Sequence, residues 1–359
     1  MKRNIAVMLP NWIGDVVMAT PLLKAIRDTT ADTRILGVMR PYVARVLEGS
    51  GLLDGELLFD PRSAQRDLQT RAVIRQLWAH RLDAMLLLTN SLRAGWSAWR
   101  SGARRRVGYV RTGRGPPLTD KLYAPRGNGA YTPIPAIDYY LAIGQTLGIS
   151  AATRQMQLGT TARDEELADQ LWEAFRLNGH QRVVLFNTGG AKGAAKDWPS
   201  EYFVRLAKLV LQHHDASIVI LCGPNEREKA LHIQQSVRSP RLHSLADPRV
   251  LDFVTAENGI GVAKAAVRRS DLMVTTDSGP RHFAHAFDIP VVTLYGPNDP
   301  AWTVPYHERS LHLYRKLPCS FCAQRVCPLG THQCMQELTV DRVFQAVSRL
   351  FSEYVQRAA

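Results

Sequence analysis

Apolar positions along the chain fall into two patterns. In one, short β-branched or aliphatic runs are flanked by polar turns. In the other, apolar residues recur every three or four positions over a longer stretch. Asn4–Leu9, Arg34–Met39, Leu57–Phe59 and Ala84–Leu88 belong to the first kind and predict buried strands. Val16–Asp28, with Val17, Leu22, Leu23 and Ile26 on one face, predicts a helix, as does Ala72–Trp78. The alternation restarts further on. Val183–Phe186, Ser217–Leu221, Leu272–Thr276 and Pro290–Tyr295 read as strands. Asp164–Phe175, the stretch opened by Pro199 (Phe203, Leu206, Ala207, Val210), Ile260–Arg269 and the amphipathic Val340–Tyr354 read as helices. Strands separated by helices imply parallel sheets of the α/β class. The character changes near residues 150–165, so a first domain is expected over 1–155 and a second over 156–359, with no solenoid-type repeat.

A length of 359 residues suffices for two cores, and 45% hydrophobic residues imply a globular chain. No apolar run approaches the roughly 20 residues that span a bilayer. The run Ile5–Leu9 is cut short by Pro10, Asn11 and Asp15, too soon for a signal-peptide core. A cytoplasmic protein is expected, in peripheral contact with an anionic membrane surface at most. The net charge of +13 points to an acidic partner. Much of it gathers after Asn90-Ser91, in Arg93, Arg100, Arg104, Arg105, Arg106, Arg111 and Arg114. Such a run is either a solvated basic face or a surface for phosphates and carboxylates, which guanidinium forks bind in pairs. Trp96, Trp99 and Tyr109 do not alternate with these arginines as stacking platforms would, so no nucleic-acid partner is expected.

The candidate chemistry lies in loops that follow strands. Leu272–Thr276 stops at Asp277-Ser278-Gly279, where Pro280 opens a helix carrying His282 in its first turn. Strand, Ser-Gly turn and helix start together suit an anionic ligand. The loop from Asn187 to Trp198 holds Thr188, Gly189, Gly190 and Gly193 with Lys192 and Lys196, and could cradle phosphates. Glu226, following Cys222-Gly223-Pro224-Asn225, could accept from ribose hydroxyls or could cap a helix. Gly14-Asp15 opens the first helix, where Asp15 is either an N-cap or a general base. Three such loops in one α/β half, with a Gly-Asp loop in the other, favour an interdomain nucleotide site. The chain contains no G-x-x-x-x-G-K-[ST], no G-x-G-x-x-G opening the first unit, no D-x-D and no H-E-x-x-H. ATP hydrolysis and nicotinamide chemistry therefore lack local support. No cofactor is expected, and pyrophosphate charge would be met by amides, Lys and His rather than by a divalent metal.

Four of the five cysteines, Cys319, Cys322, Cys327 and Cys334, crowd together with His332. They could hold structural zinc or an iron–sulfur cluster, although the C-x-x-C spacing does not repeat. Reduced thiols are the alternative.

Three segments carry a family resemblance: NWIGDVVMATPLLKAIR near the start, AKDWP at 195–199, and TTDSGPRHFAHAFDIPVVTLYGPNDP at 275–300. In order, they resemble the ADP-heptose–lipopolysaccharide heptosyltransferases of glycosyltransferase family 9, the heptosyltransferase II type in particular. The resemblance implies a GT-B architecture, two Rossmann-like parallel-sheet domains facing across a cleft, with acceptor bound by the first and donor mainly by the second. It implies that Asp15 is the catalytic base and that Lys196 is catalytic too, contacting the donor and stabilising the departing ADP. Asp277, Ser278, Gly279 and His282 match the donor-binding turn, with Thr188 and Glu226 as looser matches. Gly14, Asn90, Arg104, Arg106, Arg111 and Arg114 become acceptor-side candidates. The implied reaction is inverting, metal-independent transfer from ADP-heptose to heptosyl-Kdo-lipid A, the lipopolysaccharide inner core. Cys-containing segments in similar transferases favour reduced thiols or an optional disulfide. The chain departs from the family pattern at Pro280-Arg281, in place of a small or apolar pair, and at Asn187–Gly190, in place of Pro-Gly-Ala. Transfer of another nucleotide sugar, or a binding-only role, would fit the same motifs.

Overall fold

The computed structural model describes residues 3–29, 32–177, 182–190, 193–223, 226–237, 250–252 and 259–355; Lys192, Pro224 and Asn225 lie outside the described residues. The chain divides into two compact units, Met1–Gly159 with Ala301–Tyr306, and Thr160–Pro300 with His307–Ala359.

The first unit runs β1 (Arg3–Met8), α1 (Ile13–Met18), α2 (Thr20–Thr29), β2 (Thr33–Met39), α3 (Pro41–Leu47), β3 (Gly55–Leu58), α4 (Thr70–Ala79), β4 (Ala84–Leu87), α5 (Leu92–Arg100), β5 (Arg105–Tyr109) and β6 (Asp120–Leu122). A two-residue pairing of β7 (Arg126–Gly127) with β8 (Ala130–Tyr131) and the helix α6 (Ala136–Gln145) complete it. The sheet order is β3-β2-β1-β4-β5-β6, all parallel. The second unit runs α7 (Ala162–Ala174), β9 (Arg182–Asn187), α8 (Ser200–His213), β10 (Ala216–Leu221), α9 (Arg227–Ser236), β11 (Val250–Asp252), α10 (Ile260–Arg269) and β12 (Leu272–Thr276). It continues through α11 (Arg281–Ala286), β13 (Val291–Tyr295), β14 (Ser310–Tyr314), α12 (Gln333–Gln336) and α13 (Val340–Leu350). Its sheet, β11-β10-β9-β12-β13-β14, is parallel as well.

The central strands are mostly apolar because helices cover both faces of a parallel sheet. Every residue of β4, β10, β12 and β13 is buried. Phe186, Phe203 and the fully buried Trp198 lie in the second core, where the Trp198 indole N–H donates to the Leu338 carbonyl at 2.8 Å. Each such large side chain contributes about 1.5–3 kcal/mol by burial.

Two elements differ from the sequence reading. The helix expected over Val16–Asp28 is two helices broken at Ala19. Pro21 has no N–H to offer the Val17 carbonyl, and the Thr20 hydroxyl donates to that carbonyl instead, at 2.7 Å. The helix expected from Asp164 starts at Ala162, because Thr161 and Asp164 form a reciprocal capping box.

In each sheet the order reverses once, between β1 and β4 and between β9 and β12. At such a switch point the loops leaving adjacent strands diverge and open a crevice at the strands' C-terminal ends, where ligands of parallel sheets bind.

Candidate functional site

Asp15 stands at the first of these positions. It is the third residue of α1, whose N-cap is Trp12 and has no side-chain cap bond, so Asp15 is not the cap of this helix. Its partly exposed carboxylate receives the phenol of Tyr140, on α6. Burial first, then the Asp15 charge, push the Tyr140 hydroxyl well above its ordinary value, so it stays a donor. Gly14 is buried within α1.

Beside this loop is a cavity of about 400 Å³ at the ends of β1, β2 and β4, lined by Asn11, Thr89 and Ser91 and by the arginines Arg40, Arg62 and Arg93. The arginines singled out from sequence are placed differently. Arg114 is fully buried: it donates to the Tyr109 carbonyl at 2.8 Å, to the Thr89 carbonyl, and to Asn90 Oδ1 at 2.9 Å. Burial brings its pKa down to about 10, still a cation at neutral pH. Arg114 is thus an internal strut fastening the ends of β4 and β5, not a surface phosphate ligand. Arg106 likewise donates to the Pro117 and Ala103 carbonyls, both at 2.7 Å. Asn90 accepts from Tyr139 at 3.0 Å as well as from Arg114. Arg111 lies 3.8 Å over the Tyr131 ring, and Arg104 is exposed, 3.6 Å from Asp83. Of these four, Arg106 and Arg111 are half-buried, and Arg104, paired with Asp83 before β4 and β5 begin, lies at the edge of the sheet opposite the cavity and is not an acceptor ligand.

The second switch point gathers the other candidates. The Asn187 amide, ending β9, donates to Thr275 Oγ1 at 2.8 Å and to Ser278 Oγ at 2.6 Å, with the Gly189 carbonyl 3.2 Å from the same nitrogen. The two loops approach so closely that a Cβ on Gly190 would lie 2.8 Å from that of Ser278, and one on Gly189 would lie 2.2 Å from Glu226 Oε1. At Gly190 a side chain would displace Ser278, whereas at Gly189 the flexible end of Glu226 could turn aside. Glu226 stands at the N-cap of α9 without capping it; its carboxylate accepts from the Gly223 amide at 2.9 Å. The buried Thr188 hydroxyl has no partner among the described residues. Lys229, not anticipated from sequence, donates to the Thr188 carbonyl at 2.8 Å.

Asp277 is buried, and two cations share it. Lys196 Nζ is 2.6 Å from Oδ2 and Arg281 is 3.2 Å from Oδ1, while Asn298 donates to Oδ2 at 2.7 Å. Burial opposes the charge, yet Arg281 and Lys196 hold the carboxyl far below the carboxylate range. Two cations share this one anion beneath the Ser278-Gly279 turn. Arg281, a departure from the family pattern, faces inward and also donates to the Tyr295 hydroxyl at 2.6 Å. His282 is buried and its Nδ1 has no partner among the described residues. Burial, then Arg281, lower its pKa well below the ordinary value, so the ring is neutral; His285 is similarly lowered, by burial and then by His282.

None of the five cysteines, all among the described residues, is in a disulfide. Cys319, Cys322, Cys327 and Cys334 line a small space of about 30 Å³ with Pro297 and Leu329. Amides led by that of His332 lower the Cys327 thiol, and burial raises that of Cys334. Among the described residues no group of three or more His, Cys, Asp or Glu is arranged to hold a metal ion. Nor, among them, is any helix long and apolar enough to cross a membrane.

Comparison with known proteins fits this geometry. The family model described as glycosyltransferase family 9 (heptosyltransferase) matches residues 70–333. Lipooligosaccharide heptosyltransferase 2 of Campylobacter jejuni is 24% identical over 350 residues, covering 97% of this chain and 99% of that protein. Among solved structures, Escherichia coli ADP-heptose lps heptosyltransferase II superposes with a TM-score of 0.78 at 20% identity, over 99% of this chain and all of that one. A glycosyl transferase family 9 protein of Veillonella parvula superposes with a TM-score of 0.80 at 22% identity, covering 98% and 99%.

Proposed function

Because the chain belongs to glycosyltransferase family 9 and has the two-sheet GT-B fold, we propose that it transfers heptose from ADP-L-glycero-β-D-manno-heptose to the lipopolysaccharide inner core, heptosyl-Kdo-lipid A. Asp15 takes the proton from an acceptor hydroxyl as that oxygen attacks the anomeric carbon. The bond from that carbon to the β-phosphate oxygen breaks, ADP departs, and the configuration inverts. The second unit holds the donor through Thr188, Glu226 and the turn Asp277–Gly279. Neutral His282 keeps that turn in shape. The cavity with Arg40, Arg62 and Arg93 takes the carboxylates and phosphates of the acceptor, joined by Arg111.

The observation that carries this reading is the Lys196–Asp277–Arg281 cluster, in which two buried cations are fixed at a strand end. A preorganised cation can stabilise a departing diphosphate without the reorganisation that water would need. It follows that chelation by EDTA should leave the rate within about twofold of its untreated value; magnesium-restorable loss would show that a metal, and not this cluster, supports the leaving group. The decisive assay is a donor screen with purified protein and heptosyl-Kdo-lipid A. Transfer from another nucleotide sugar and none from ADP-heptose would overturn the donor assignment.

A further inference from the structure

The outward faces of α4 and α5 are unlike those of an ordinary surface helix. Leu92, Trp96 and Trp99 of α5 are 57%, 50% and 49% exposed, and Trp78 near the end of α4 is 61% exposed. The four form one surface. Trp96 and Trp99 pack in a tilted pair with ring centroids 5.0 Å apart, and the Trp78 ring lies against Gly102 just beyond α5, where a Cβ would come within 3.2 Å of it. The same faces carry Arg71, Arg75, Arg93 and Arg100, and neither helix contains an Asp or Glu. The start of α5 is also part of the first unit's cavity, through Ser91, Arg93 and Ala94. One helix thus contributes its N-terminal end to the proposed acceptor cavity and its outer face to the surroundings.

Exposed tryptophan and leucine cost free energy in water, whereas indole rings settle at the boundary between headgroup and acyl chain. Arginines around them add attraction to anionic headgroups. An apolar wedge and a basic rim together make the pair of signals that reversible interfacial binding requires. A protein partner would ordinarily match such a rim with its own carboxylates, but nothing in the apolar centre selects one. A phospholipid surface matches both parts.

We propose that this tryptophan face of α4 and α5 docks the enzyme on an anionic phospholipid bilayer, holding the acceptor cavity at the membrane surface; this rests on the reading that the acceptor is lipid-anchored. The test is sedimentation of the full chain with vesicles, without substrates. Binding is expected to phosphatidylglycerol-containing vesicles, with little to phosphatidylcholine alone, and to weaken as salt rises. Trp96→Ser with Trp99→Ser should lower partitioning about tenfold or more, and Arg71→Gln with Arg75→Gln severalfold, with melting temperatures unchanged. Equal binding to both vesicle types, no binding to either, or wild-type binding by the tryptophan variant would overturn the proposal. Sedimentation with native membranes but not with pure lipid would also overturn it, in favour of a protein partner. Transfer to detergent-solubilised acceptor separates this from the reaction itself. The tryptophan variant should keep the wild-type rate there, and an equal loss in detergent would overturn docking by showing that the face holds acceptor instead. Absence of transfer by the wild-type protein counts against the proposed reaction, and vesicle binding is judged independently of it.

Discussion

The two units wind six parallel strands in the same order and place a carboxylate just past a central strand at each switch point, yet the two carboxylates have opposite surroundings. Asp15 is partly exposed and receives a neutral phenol, with a roomy cavity nearby. Asp277 is buried beneath two cations and an amide. Held by Lys196 and Arg281, the Asp277 carboxylate cannot take up a proton at any working pH. Topology thus supplies the position, and the neighbours decide whether the group does chemistry or holds the frame.

Exchanging either carboxylate tests that contrast. Asp15→Asn should lower turnover about 10²–10⁴-fold, the usual effect of removing a general base, while ADP affinity stays near wild type. Activity within twofold of wild type would remove Asp15 from the chemistry. Asp277→Asn should act on stability instead. It leaves two buried cations without their anion, a loss of about 3–5 kcal/mol, read as a shift in denaturant midpoint. A loss below about 1 kcal/mol would mean that the cluster is not the frame described here.

A smaller effect is expected at Tyr140. Tyr140→Phe removes the hydroxyl that orients Asp15 and should reduce kcat about tenfold, the scale of one hydrogen bond to a charged group, with KM for the donor unchanged. In an Asp15→Asn background the same change should cost almost nothing further, because its effect passes through the carboxylate. Additive losses would assign Tyr140 a packing role alone.

The smallest effect concerns pH and the second unit. Burial lowers the pKa of His282 and His285 well below the ordinary value and that of His312 to about 4. The folded unit therefore binds fewer protons there than the unfolded chain, whose histidines titrate near 6.5. Their contribution to stability is complete above about pH 6.5 and declines as pH falls from there toward 4. Thermal melting should show the second unit losing stability across this window faster than the first. Parallel decline of both units would remove the histidines as the cause.

Much of this arrangement was legible in the sequence because it is local. The limits of β12 and α10 follow from apolar runs bounded by turn residues, and the loops at the strand ends follow with them. What the sequence hid depends on distant partners. Arg114 reads as one more surface arginine until the carbonyls of Thr89 and Tyr109 enclose it. Tyr140 sits 125 positions from Asp15 in the chain, in a helix whose pattern signals only a core face. Arg40 and Arg62 fall outside the basic run and join Arg93 only through the curl of the sheet's C-terminal edge. The break at Ala19 was visible in Pro21, a residue tolerated in a first helical turn and so easily read through.

The distribution of tryptophan gives the molecule an internal spectroscopic label. Of the seven indoles, Trp12, Trp78, Trp96, Trp99 and Trp302 belong to the first unit and are exposed, while Trp172 and Trp198 belong to the second and are buried. Emission from the first group should be red-shifted and open to acrylamide, and that from the second blue-shifted and shielded. With quencher present, the residual fluorescence reports the second unit almost alone, so its unfolding can be followed in the intact chain without an added dye.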